Sequence, residues 1–204
     1  HLSPGRCYTF HIFVAGNSPH ATLPPMPDTS SPLLDVRSLS VSFRTATAEG
    51  ARATLPAVTN ASFTINRGET LALVGESGSG KSVTALSLLR LLPYPSAFHP
   101  SGQVFWRGRD MLRLSKRKLR AIRGEEVGMI FQEPLSALNP LHTIERQIKE
   151  AITLHHRVDR HTLLDRVHHL LRLVGLEELE NRLSAFPHAL SGGQRQRVMI
   201  AMAL

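Results

Sequence analysis

Gly75-Glu76-Ser77-Gly78-Ser79-Gly80-Lys81-Ser82 follows the apolar run Leu71-Ala72-Leu73-Val74 and opens an apolar-periodic stretch running to Leu92. The octet fits G-x-x-x-x-G-K-[ST] at every fixed position. Its flanks are those the motif requires, a buried strand before it and a helix after it. Small residues let the backbone wrap an anion closely, and successive N–H groups at a helix start face it. Lys81 then reaches the β- and γ-phosphates of a nucleoside triphosphate, and the Ser82 hydroxyl holds Mg²⁺. A glycine-rich turn without a ligand explains the glycines but not the flanks.

Outward from this octet the chain reads as an α/β protein. Leu33–Phe43 alternates as a strand, Thr45–Thr54 is turn-like, and Ala57–Ile65 is a second strand ending in the turn Asn66-Arg67-Gly68-Glu69. Thr70–Val74 predicts a parallel strand buried on both faces. Lys81–Leu92 predicts a helix stopped by Pro93 and Pro95. Gln103–Arg107 predicts a strand, Arg113–Arg123 a basic helix, and Val127–Phe131 a short buried strand. From Thr143 the pattern is helical, with Leu163, Leu164, Val167, Leu170, Leu171 and Val174 on one core-facing side. Ser191–Leu204 closes the chain as another helix.

Composition bounds the reading. The 204 residues suffice for one domain with a core, and 42% are apolar. The net charge of +8 sits in helix-like stretches such as Ser115–Arg120, without interleaved aromatics, so no nucleic-acid partner is expected. The single Cys7 excludes an internal disulfide framework and a multi-cysteine metal site. The longest apolar stretches are too short to span a membrane. Cys7–Gly16 is apolar behind Arg6, but no cleavage site follows it. Asn17–Leu33 is rich in Pro and Ser, so residues 1–32 are expected to be a disordered or non-native extension, with Met26 the natural start.

A second glycine motif, Leu190-Ser191-Gly192-Gly193-Gln194, lies 110 residues after Lys81 (191 − 81), and Phe131-Gln132-Glu133-Pro134 lies between them. By itself Ser191-Gly192-Gly193 is only a helix cap. The three motifs in this order resemble the ATP-binding cassette ATPases. Gly75–Ser82 matches their Walker A motif, Gln132 their Q-loop glutamine, and Leu190–Gln194 their signature motif. The resemblance covers about residues 33–204. Met129–Leu141 and Phe186–Arg197 look like the oligopeptide/dipeptide importer branch. His142-Thr143-Ile144-Glu145 and Leu91–Pro95 resemble its subgroup with two fused ATPase halves, which includes microcin C and related peptide importers.

The resemblance implies a P-loop core with an N-terminal antiparallel β subdomain and an inserted helical subdomain at about residues 141–190. It implies ATP and Mg²⁺ held by Gly75, Glu76, Ser77, Gly78, Ser79, Gly80, Lys81 and Ser82. Gln132 would contact the metal and the attacking water, and Phe43 would stack on adenine. Ser191, Gly192, Gly193 and Gln194 would close over the ATP of a second ATPase domain. The implied partners are membrane permease subunits and, indirectly, a solute-binding protein outside the membrane. The implied location is the cytoplasmic face of the plasma membrane. In this family the Walker B strand, catalytic Glu and switch His follow the signature helix, beyond Leu204. A chain ending there is expected to hydrolyse little ATP, whereas its parent is an ATPase.

Other readings weigh less. His155, His156, His161, His168 and His169 form no defined ligand spacing. Glu125 and Glu126 are adjacent and point apart. A cytosolic cassette ATPase acting on ribosomes or DNA is the rival from another class, and a non-catalytic nucleotide-binding fragment is the second. Chromosome-type relatives need a coiled coil that 110 residues cannot hold.

Overall fold

A computed structural model describes residues 12–14, 31–46, 52–131, 138–155 and 158–204. The described chain divides into two units. One comprises the described residues from 31 to 119, the other residues 12–14 and the described residues from 120 to 204.

The first unit is built on an antiparallel sheet. Strands β2 (Leu34–Ala46) and β3 (Arg52–Ile65) pair antiparallel along most of their length. β4 (Ala97–Trp106) pairs with the other side of β2, and the short β5 (Arg109–Asp110) follows on β4. The order is therefore β3-β2-β4-β5, with β3 at an edge. On β2, Leu34 and Val36 are buried and alternate as a half-covered strand should. The next buried pair is Leu39 and Val41, one residue out of phase. A register shift absorbs the extra residue, with Ser38 at φ 46°. The bulge returns Leu39 and Val41 to the covered face, where Val104 and Trp106 of β4 are also buried.

Gly102 on β4 sits against this bulge. A Cβ there would lie 2.5 Å from Leu39 Cα, so only glycine lets the two strands approach. The edge strand β3 carries no fully buried described residue, which fits Pro56 within it.

Helix α1 (Lys81–Leu88) packs on β2 and β3. It ends at Leu88, four residues before the expected Leu92. Leu91 N–H reaches Leu86 C=O at 2.8 Å and Arg90 N–H reaches Ser87 C=O at 2.9 Å, with Arg90 at φ 51°. That double bond pattern is a Schellman motif with arginine where glycine is usual. The expected strand Thr70–Val74 is absent: these residues are irregular, and Val74 is 80% exposed. A strand needs ladder partners, and among the described residues Thr70–Val74 has none, so the apolar run stays single.

The second unit is helical. Helix α2 (Lys116–Ile122) leads into it. It contains α3 (Ile144–His155), α4 (Arg160–Leu173) and α5 (Gly192–Ala203), which contact one another pairwise. Ile144 and Ile148 from α3, Val167 and Leu171 from α4, and Val198 from α5 form one buried cluster. The i, i+4 spacings give α3 and α4 one apolar stripe each. Asp159 caps α4, accepting from the N–H groups of His161 and Thr162, both at 3.1 Å. Buried Gln147 ties down the chain before α3. Its Nε2 donates to Asn139 and His142 carbonyls, and its Oε1 accepts from Asn139 N–H.

A short strand β6 (Val127–Met129) pairs antiparallel with β1 (Ile12–Val14), which lies within the stretch expected to be an extension. Met26 is outside the described residues. Gly128 faces the end of α5, where a Cβ would come within 3.0 Å of the Ala203 carbonyl.

Candidate functional site: two helix starts

The first start belongs to α1. Its N-cap is Gly80, at φ 86°, and no side chain caps the helix. An added Cβ at Gly80 would meet the Ala57 carbonyl of β3 at 2.6 Å, so the loop rests directly on the sheet edge. Gly78 is also left-handed, at φ 83°, but its missing side chain faces open space. One glycine is thus required by packing and conformation, the other by conformation alone. Gly75, Glu76, Ser77, Gly78 and Ser79 are exposed.

Lys81 folds back over this loop. Its Nζ donates to Gly75 C=O at 2.8 Å, Glu76 C=O at 2.6 Å and Ser79 Oγ at 3.1 Å, and the side chain is largely buried. The ammonium therefore sits over the loop, on acceptors that an anion can replace. Ser82 is exposed at the second helical position. A loop with left-handed glycines, an uncapped helix start and a lysine over its mouth fits a triphosphate, and an exposed hydroxyl beside it fits Mg²⁺. Phe43 lies on β2, half-buried, opposite Leu55 of β3 and Ala97 of β4. Gln132 lies outside the described residues.

The second start belongs to α5 and is built differently. Ser191 is the N-cap, and its Oγ accepts from Gln194 N–H at 3.3 Å. Gln194 Oε1 accepts in return from Ser191 N–H at 2.9 Å. This reciprocal pair is a capping box. A helix start has four backbone donors without intrahelical partners. Here they are the N–H groups of residues 191 to 194, since Arg195 N–H already bonds Ser191 C=O. The box satisfies the outer two. The N–H groups of Gly192 and Gly193 have no hydrogen bond among the described residues, and a Cβ on either would meet nothing within 4 Å.

Side chains the motifs do not mark hold this start in place. Gln194 Nε2 donates to Glu178 Oε1 at 3.2 Å. Arg195 Nε donates to Leu190 C=O at 2.9 Å, and Arg197 Nη1 to Gly175 C=O at 2.7 Å. The Glu178 carboxyl is held below its ordinary value, first by its own backbone N–H and then by the Gln194 amide. Nothing in the sequence pattern singled out Glu178. It stands on a 3-10 turn, Glu177–Leu179, far upstream of the glycines.

Comparison with known proteins gives the family. The ABC transporter family matches residues 58–204. Over 175 residues, 86% of the chain, it is 58% identical to the Peptidoglycan transport ATP-binding protein YejF of Agrobacterium fabrum, covering 31% of that protein. Over 172 residues, 84% of the chain, it is 42% identical to the Oligopeptide transport ATP-binding protein OppD of Bacillus subtilis, covering 47% of that one. The chain thus spans half or less of either relative's length. A solved dimeric, post-hydrolysis state of the ATP-binding cassette MJ0796, bound to ADP and Pi, superposes with a TM-score of 0.65 at 26% identity, covering 84% of this chain and 68% of that one. With a family match over most of its length, the chain belongs to the ABC transporter family.

Proposed function

We propose that this chain is the ATP-binding and ATP-hydrolysing part of an importer that carries peptides or similar small solutes through a membrane permease. ATP-dependent, head-to-tail pairing of two ATPase domains drives it. The observation that carries this reading is the contrast between the two helix starts. The α1 start brings a lysine and no cap, as a domain's own phosphate site does. The α5 start has no lysine, and its two open donors stand at exposed glycines. It is suited to complete an anion site that another domain supplies.

Each residue then has a defined task. Gly75, Glu76, Ser77, Gly78, Ser79 and Gly80 wrap the phosphates with their backbone. Lys81 exchanges its carbonyl acceptors for β- and γ-phosphate oxygens. Ser82 and Gln132 would hold Mg²⁺, which supplies charge neutralisation at the phosphates. Phe43 stacks on adenine, and Gln132 orients the attacking water. Ser191, Gly192, Gly193 and Gln194 meet the γ-phosphate of the partner domain's ATP. Hydrolysis by these groups rests on positioning and charge stabilisation, with no covalent intermediate. Permease subunits, a second ATPase domain and an external solute-binding protein are the partners, and the protein works at the cytoplasmic face of the plasma membrane. Similarity to proteins named for peptide and peptidoglycan transport supports the substrate class.

Mixing two inactive variants tests the pairing. Lys81→Ala removes one domain's phosphate grip, and Gly193→Asp places a carboxylate where the partner's phosphate must come. In the protein assembled with its permease, each variant alone is expected to lose about a hundredfold or more in ATP turnover. A mixture contains pairs with one intact site, so turnover should partly recover. For chains that each carry a single ATPase domain, a mixture as inactive as its components would refute head-to-tail pairing. Uptake of a labelled oligopeptide by the assembled transporter tests the substrate class.

A further inference from the structure

We propose that Glu178 is a positioning residue for the signature helix, selecting the one orientation of the Gln194 amide that closes the capping box. The proposal deepens the reading given under Proposed function and rests on it for its catalytic consequence.

A glutamine amide presents an acceptor on one side and two donors on the other. Rotated by half a turn, Gln194 would point its NH₂ at the Ser191 N–H, donor against donor. The box would then lose its second bond. At the near end the Ser191 N–H favours the orientation in which Gln194 Oε1 accepts. The partner at the far end of the amide adds a second selection for the same orientation. Glu178 Oε1 lies 3.2 Å from Gln194 Nε2, and an ionised carboxylate can only accept. The rotated amide would set Oε1 against it, acceptor against acceptor.

One carboxylate therefore fixes an amide, and the amide fixes the N-cap. The effect falls on Gly192 and Gly193, whose N–H groups lie between the two that the box satisfies. Arg197 reinforces this from the next turn, through its bond to Gly175 C=O, and adds a positive charge near Glu178. The Gly175 turn and the Glu177–Leu179 turn are only two residues apart, so both braces spring from the segment that ends α4. Glu178 touches neither substrate nor metal in this scheme and acts only through Gln194.

Amide hydrogen exchange on the nucleotide-free protein reads the brace directly. Glu178→Ala should raise exchange at Ser191 and Gln194 by about three- to tenfold, the range of a lost helix cap. Glu178→Gln keeps an oxygen acceptor and should restore most of the protection. Glu178→Lys puts a donor against the amide and should expose both N–H groups at least as much as alanine. Unchanged exchange in the alanine and lysine variants would overturn the proposal, whatever the ATPase activity.

The catalytic consequence is read in the assembled transporter. Glu178→Ala should lower kcat about three- to tenfold while KM for ATP stays within about twofold, because the Walker A loop is untouched. Glu178→Gln should recover it. Faster exchange with unaltered kcat would leave the brace intact and overturn its link to catalysis. A fall in kcat that glutamine does not rescue would do the same.

Discussion

Arg172, in the last turn of α4, grips Glu180 through two parallel hydrogen bonds, Nε to Oε1 at 2.7 Å and Nη2 to Oε2 at 2.9 Å. His168 Nδ1 lies 3.1 Å from the same Oε2. The fork fixes the chain just beyond the turn that carries Glu178. It holds the Glu180 carboxyl below its ordinary range, chiefly through the Arg172 hydrogen bond, and Arg172 is raised in turn by Glu180.

A carboxylate with a depressed folded pKa stabilises the fold above its unfolded value, and that contribution disappears as pH falls through the folded value. Arg172→Met should therefore melt below the wild type at neutral pH. The gap should begin to narrow below about pH 4.3, the ordinary glutamate value, and close as Glu180 protonates. Thermal unfolding from about pH 7 to about pH 3 checks this. A gap constant across that range would show that the fork contributes only packing.

Gly80 and Gly78 should respond unequally to alanine. Both are left-handed, which costs an ordinary residue about 1–2 kcal/mol. Only at Gly80 does the new Cβ also strike backbone, 2.6 Å from the Ala57 carbonyl. Gly80→Ala should thus destabilise by more than Gly78→Ala, at about 2–4 kcal/mol against about 1–2 kcal/mol, in urea unfolding. Equal effects would mean that β3 yields to the loop.

Arg90 sets two effects in opposition. Replacing it by glycine relieves a left-handed backbone, worth about 1 kcal/mol. It also removes the guanidinium, whose Nη1 donates to the Leu114 carbonyl at 2.7 Å in a partly buried setting. A hydrogen bond from a charged group contributes about 1.5–3 kcal/mol. The second effect is larger, so Arg90→Gly should lower stability by about 0.5–2 kcal/mol. A stabilised variant in urea unfolding would show that the strain dominates.

The glycine motifs were legible because their chemistry is local. Lys81 begins a helix and Ser191 caps one, as their neighbours in sequence require. The sheet edge was harder. Residues 52–54 read as turn and the strand as starting only at Ala57 because β3 buries little there, with Leu55 59% exposed, and an edge strand without a covered face leaves no alternation to find. Likewise Ala97–Gly102 belong to β4, although Pro100 and Gly102 conceal it. The sequence carries α1 to Leu92 because arginine is not a stop signal, yet Arg90 takes the left-handed position. Thr70–Val74 showed the opposite failure. An apolar run states a preference for burial and supplies no neighbouring strand. Glu178 could not be read at all, since its importance arises from a turn that brings it beside Gln194.

The open donors at Gly192 and Gly193 also set limits on how this face of the protein can be regulated. Peptide N–H groups neither ionise near neutrality nor offer a side chain to modify. Their strength as donors is therefore the same in acidic and alkaline solution, and no phosphorylation or oxidation can act on them directly. Control must come through the residues that frame them, the hydroxyl of Ser191 and the braces around it, which makes the framing, and not the receptor, the adjustable part.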